Sequence, residues 1–91
     1  MTENTAASSP LINGANATVA ANIRAELGRY GKQQGDLARA LNVSAMYLSR
    51  RMNSAPAFDV HEVVAIANYF GIEPGDLFTP VAKNDLQITN R

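Results

Sequence analysis

The chain has 91 residues, with eight Lys and Arg against eight Asp and Glu, so its formal net charge is zero. That length allows one small domain, and that balance excludes both an indiscriminate nucleic-acid polycation and an acidic disordered tail. The absence of cysteine excludes a disulfide framework and a thiolate metal site. No apolar run approaches the roughly 18 residues of a membrane span. Met1-Thr2-Glu3-Asn4-Thr5 lacks the basic and apolar stretches of a signal peptide, so a soluble, cytoplasmic domain is expected.

Residues 1–15 are small, polar and turn-prone, without helical or strand period, and read as a flexible arm. Asn16-Ala17-Thr18 matches a glycosylation acceptor, a chance match in a chain without secretion. From Thr18, a plausible N-cap, Val19, Ile23, Leu27 and Tyr30 recur at helical spacing up to Gly31. A second short helix reads from Gln33 to Leu41, with Leu37, Ala38 and Leu41 on one face. Asn42 follows, where a left-handed turn residue fits.

Ser44 can cap a third helix running to about Asn53, and Pro56 closes that segment. Asp59 with Glu62 forms a capping-box start for a fourth, whose apolar face is Val63, Ile66, Ala67 and Phe70 and which ends at Gly71. Pro74 suits the first position of a short fifth helix with Leu77 and Phe78. The expectation is all-α: a compact bundle of five short helices spanning 16–78. In the tail, 79–91, Leu86-Gln87-Ile88-Thr89 alternates like a short strand or dimer contact.

The second and third helices are two turns each, joined by three or four residues. Small Ala38 lies where they approach, and Leu37, Leu41, Val43 and Leu48 wedge between them. That is helix-turn-helix geometry, whose second helix can enter a DNA major groove. Gln34, Leu37, Ala38, Leu41, Val43, Ser44, Leu48, Ser49 and Arg50 match the pattern Q-x-x-L-A-x-x-L-x-V-S-x-x-x-L-S-R. By these residues the chain resembles the Cro and phage-repressor (XRE-type) helix-turn-helix family over about residues 18 to 78. The resemblance implies a repressor that binds operator DNA, either an immunity repressor or a Cro-like antagonist, in a bacterial host cell and on its nucleoid.

On a helical wheel of the third helix, Ala45, Leu48 and Met52 gather on one side, while Met46, Tyr47, Arg50 and Asn53 face away with Ser49 at the flank. The resemblance implies base contacts at Ala45, Met46, Ser49 and Arg50. Arg50 can donate two hydrogen bonds to guanine, Ala45 and Met46 suit thymine methyl groups, and Ser49 suits a base, a phosphate or its own helix. Gln34 opens the second helix, where N–H groups and the dipole favour phosphate. Asn53 matches a phosphate contact of the family or serves as a C-cap. Lys32 and Arg29 are candidate phosphate neutralisers. Arg51 is a third, or else it snorkels, since it stands where the family more often has an apolar residue. Tyr47 suits the sugar-phosphate backbone.

Nothing in the sequence points to catalysis, a cofactor or a small-molecule ligand. His61 has no second His or Cys for a metal site, and the thirteen residues after Phe78 leave no room for a self-cleaving domain. One such module touches few base pairs, so a homodimer on double-stranded DNA is expected. The rival reading is an antitoxin or adaptor that uses the same fold to hold a protein. The neutral total divides along the chain. Residues 18–54 carry six basic side chains against two acidic ones; residues 55–78 carry four acidic ones and no Lys or Arg.

Overall fold

A computed structural model describes residues 10–80. Four α-helices and one 3₁₀ helix follow in order: α1 (Pro10–Arg29), α2 (Gln34–Leu41), α3 (Ala45–Met52), α4 (Val60–Phe70) and the 3₁₀ helix (Pro74–Phe78). Among the described residues there is no strand. The strand-like Leu86–Thr89 and residues 1–9 of the expected arm lie outside them.

The core is one cluster drawn from every element. Val19, Ala20, Ile23 and Leu27 come from α1, Leu37 and Ala38 from α2, and Leu48 and Met52 from α3. Val63, Ile66, Ala67 and Phe70 come from α4, and Leu77 from the 3₁₀ helix. Each large aliphatic side chain fully withdrawn from water contributes about 1.5–3 kcal/mol. Leu41, Val43 and Phe58 are half-buried at the edge of this cluster. Tyr30 lies past the end of α1, exposed on one ring face and stacked on Phe70 at 6.3 Å.

The helix ends follow local chemistry. Asn42 adopts φ 61°, and the N–H groups of Asn42 and Val43 donate to the carbonyls of Arg39 and Ala38 at 3.1 and 3.0 Å. This Schellman closure ends α2 and turns the chain into α3. Gly71 ends α4 in the same way at φ 72°, through its own N–H and that of Ile72. The Asp59–Glu62 box is formed in both directions, at 2.8 and 3.0 Å.

Two elements differ from the sequence expectation. The first helix begins at Pro10, not after Thr18, so residues 10–15 are helical rather than part of an arm. Pro10 is pre-organised for a first helical position, and Asn16, a turn and a half further on, is buried. Its Nδ2 donates to the Arg51 carbonyl at 2.9 Å and the Ser54 hydroxyl at 2.8 Å, and its Oδ1 accepts the Phe58 N–H at 2.8 Å. Tertiary hydrogen bonds thus hold in a helix a segment whose composition alone reads as loop. The fifth element is a 3₁₀ helix, and Asn22 of α1 fixes it by donating to the carbonyls of Leu77 and Thr79 at 2.9 and 2.8 Å.

Candidate nucleic-acid interface

The interface is built on α3. Ser44 accepts the Tyr47 N–H on its Oγ at 3.0 Å, which starts the helix and fixes its rotation. Leu48 and Met52 then point into the core, and Ala45, Met46, Tyr47 and Arg50 are exposed on the other face. Met46 is 65% exposed, unusual for so large an apolar side chain, while Leu48, two residues on and on the opposite face, is buried. Ala45, which the wheel puts at the core's border, is exposed; Ser49 is half-buried at the flank. Met46, Tyr47, Arg50, Arg51 and Pro56 line a cleft of about 260 Å³ on this face.

The Arg50 side chain donates no hydrogen bond and forms no ion pair among the described residues. Arg51 is the opposite case. Its Nη1 donates to the Ala57 carbonyl at 2.8 Å and its Nη2 to the Tyr47 hydroxyl at 2.7 Å, and its Nε lies 3.6 Å from the Glu62 carboxylate. The Tyr47 hydroxyl in turn donates to that same Glu62 carboxylate. This bond raises the Tyr47 pKa above its ordinary value, against the opposing pull of Arg51. Tyr47 therefore offers a partner its ring, since its hydroxyl is already engaged.

A second anchoring point lies at the start of α2. Lys32 is exposed beside it, and Gln34 is the first helical residue. Gln34 and Gly35 keep backbone N–H groups without a partner among the described residues. Asp36 occupies the same turn and accepts the Gln33 N–H at 2.8 Å. That bond, followed by the nearby charges of Arg39 and Lys32, holds its carboxyl below the usual range. Asp36 also pairs with Arg39, which tempers its repulsion of an incoming anion.

Asn53 closes α3, and its Nδ2 donates to the Ser49 carbonyl at 2.8 Å, the geometry of a C-cap. Arg29 is held by Glu26 at 3.4 Å. The basic half of the chain thus keeps Arg24, Lys32 and Arg50 outside any ion pair among the described residues. The sequence marks Asn16 only as part of a chance glycosylation match and does not show its role in fixing the end of α3, nor the second role of Glu62. The signal for Asn16 was its position one turn before Val19 on the same helical stripe.

His61 is exposed, and the described residues contain no grouping of His, Asp and Glu suited to a metal ion. No helix among them is long and apolar enough to cross a membrane. Comparison with known proteins adds one positive finding: a helix-turn-helix family model matches residues 23–77, more than half of the chain. Neither the curated proteins nor the solved structures gave a match. The matched span contains α2, the turn at Asn42 and α3 in full, and the family consists of DNA-binding regulatory domains that are not typically enzymes. The chain therefore belongs to the XRE-type helix-turn-helix family, found in Cro and phage repressors, and is a DNA-binding regulator of that type.

Proposed function

We propose that the protein is a phage-type transcriptional repressor that reads a specific operator in double-stranded DNA through the outward face of α3. The observation that carries this reading is the contrast on that face. A guanidinium without an ion-pair partner among the described residues, Arg50, stands beside an exposed apolar side chain, Met46, on a helix whose other side is locked into the core. Arg50 would donate to guanine O6 and N7, Ala45 and Met46 would meet thymine methyl groups, and Ser49 would reach a base from the flank. Lys32 and the N-terminus of α2 at Gln34 would hold one phosphate. The Tyr47 ring and the second amide hydrogen of Asn53 would lie against the backbone at either end of α3.

An operator-bound homodimer is part of this proposal. Val60, Val64 and Phe78 are exposed at 75, 41 and 50%, and they line one groove with Pro74 and Phe58. An apolar surface of this kind supports a protein contact, and it falls in the part of the chain that is free of Lys and Arg. The same surface would also serve an antitoxin or adaptor that holds a different protein. Selecting duplexes from a random library with the full chain separates the two. A repressor enriches a two-fold symmetric site with half-sites about one helical turn apart. An adaptor enriches no common sequence.

A further inference from the structure

The Glu62 carboxylate is used from three sides, and only one of them belongs to its own helix. One oxygen accepts the Asp59 N–H at 3.0 Å and completes the cap of α4. The other accepts the Tyr47 hydroxyl and lies 3.6 Å from Nε of Arg51, both on α3. Arg51 and Glu62 are only 19 and 17% exposed, well below the screening regime of an ordinary surface pair. The guanidinium also sits 4.7 Å from the Tyr47 ring centroid, so the aromatic face adds to its hold.

Arg51 nevertheless lines the same cleft as Met46 and Arg50. A guanidinium at that place, if released, would stand beside the DNA backbone that Tyr47 faces. We propose that Glu62 is a specificity-determining positioning residue: it withholds Arg51 from the phosphates and presents Tyr47 to the backbone in one fixed orientation. The inference rests on the DNA-reading role of α3 proposed above. Its physical logic is that phosphate contacts add affinity for every sequence alike, whereas base contacts discriminate. An acidic side chain that removes one cation from the phosphate-facing set lowers the non-specific background and leaves Arg50 to decide the site.

The test is a double-mutant cycle of Glu62→Gln and Arg51→Met in the full chain. Gln at this position retains the capping box, so α4 keeps its start while the charge is lost. Helix content by circular dichroism checks that each variant is folded. Binding is titrated over a salt series on mixed-sequence duplex DNA and on a duplex selected by the parent protein. Glu62→Gln is expected to tighten mixed-sequence binding, to steepen its log–log salt slope by about 0.9, the increment of one phosphate contact, and to lower the ratio of selected to mixed-sequence affinity. Arg51→Met should move the slope little in the parent and should restore it in the Glu62→Gln background.

An unchanged slope in Glu62→Gln, or a steepened slope that Arg51→Met does not reverse, overturns the inference while leaving the DNA-reading role of α3 standing. Failure of the parent protein to bind any duplex overturns that role and takes this inference with it.

Discussion

Arg50 and Arg51 are neighbours in the chain, and the fold assigns their guanidinium groups to opposite conditions. Arg51 bridges the Ala57 carbonyl, the Tyr47 hydroxyl and the Glu62 carboxylate, while Arg50 stands exposed with no such partner among the described residues. A 100° step along α3 is enough to separate them. Arg51 turns toward α4, and Arg50 turns toward the open face. Of the two, only Arg50 is available for a bidentate base contact.

Replacing Arg50 with Ala should therefore weaken binding to the selected duplex by about 1–3 kcal/mol, roughly five- to 150-fold, and relax base preference at one position. Stability should stay within about 0.5 kcal/mol of the parent, as for an exposed site. Binding titrations on duplexes varied one base pair at a time measure the first, and urea unfolding measures the second.

Met46 and Leu48 make a paired prediction from opposite faces of one helix. Leu48→Ala empties a fully buried core position and should cost about 2–5 kcal/mol in urea unfolding. Met46→Ala removes an exposed side chain and should change stability by less than about 0.5 kcal/mol while weakening binding to the selected site. If Met46→Ala destabilised the fold as Leu48→Ala does, the orientation of α3 described above would be wrong.

Asn16 is the polar pin of the bundle. Replacing it with Ala leaves the Phe58 N–H, the Ser54 hydroxyl and the Arg51 carbonyl without this partner. A loss of about 1–3 kcal/mol is expected, read as a lowered urea midpoint. Hydrogen exchange should also show the N-terminal turns of α1 opening more readily than its centre.

Alkaline pH tests the Tyr47–Glu62 contact. The raised pKa of Tyr47 comes first from the hydrogen bond it donates to Glu62. The stabilisation it represents is complete below about pH 10, the ordinary tyrosine value, and is lost as pH rises through the higher folded-state value. Tyrosinate absorbance, taken as the difference between the parent and Tyr47→Phe, should give a midpoint above 10. In Glu62→Gln that midpoint should fall, because the anionic acceptor is gone and Arg51 now favours the phenolate. Equal midpoints in the two proteins would contradict the contact.

How much of this was legible in the sequence depended on whether the signal was local. The faces of α2, α3 and α4, the left-handed turn at Asn42 and the Asp59–Glu62 box all follow from spacing and capping chemistry within a few residues. The start of α1 did not, because Asn16 looks like loop composition until its partners at Arg51, Ser54 and Phe58 are brought to it. Pro74 and Leu77 mark a helical turn, but the hydrogen bonds from Asn22 that pin its end come from across the bundle. At the interface, the outward placement of Met46 and Arg50 was readable from the wheel. The engagement of Arg51 and the Tyr47 hydroxyl was not, since both depend on Glu62, which reaches them from another helix.

The charge division along the chain gains physical detail from the same contacts. Among the described residues, three of the six basic side chains in 18–54 are held in ion pairs, with Glu26, Asp36 and Glu62. Arg24, Lys32 and Arg50 carry the exposed positive field, and the acidic half supplies Glu62 to quench the cation nearest Arg50. A neutral total is thus compatible with a DNA reader whose non-specific attraction is small.

The central claim is that α3 reads DNA sequence through Arg50, and the most direct measurement compares the parent protein and Arg50→Ala on selected and mixed-sequence duplexes at two salt concentrations. The account predicts salt-sensitive binding of the parent to both, a clear preference for the selected duplex, and loss of most of that preference in Arg50→Ala with mixed-sequence binding largely retained. A preference for the selected duplex that survives Arg50→Ala intact would contradict it.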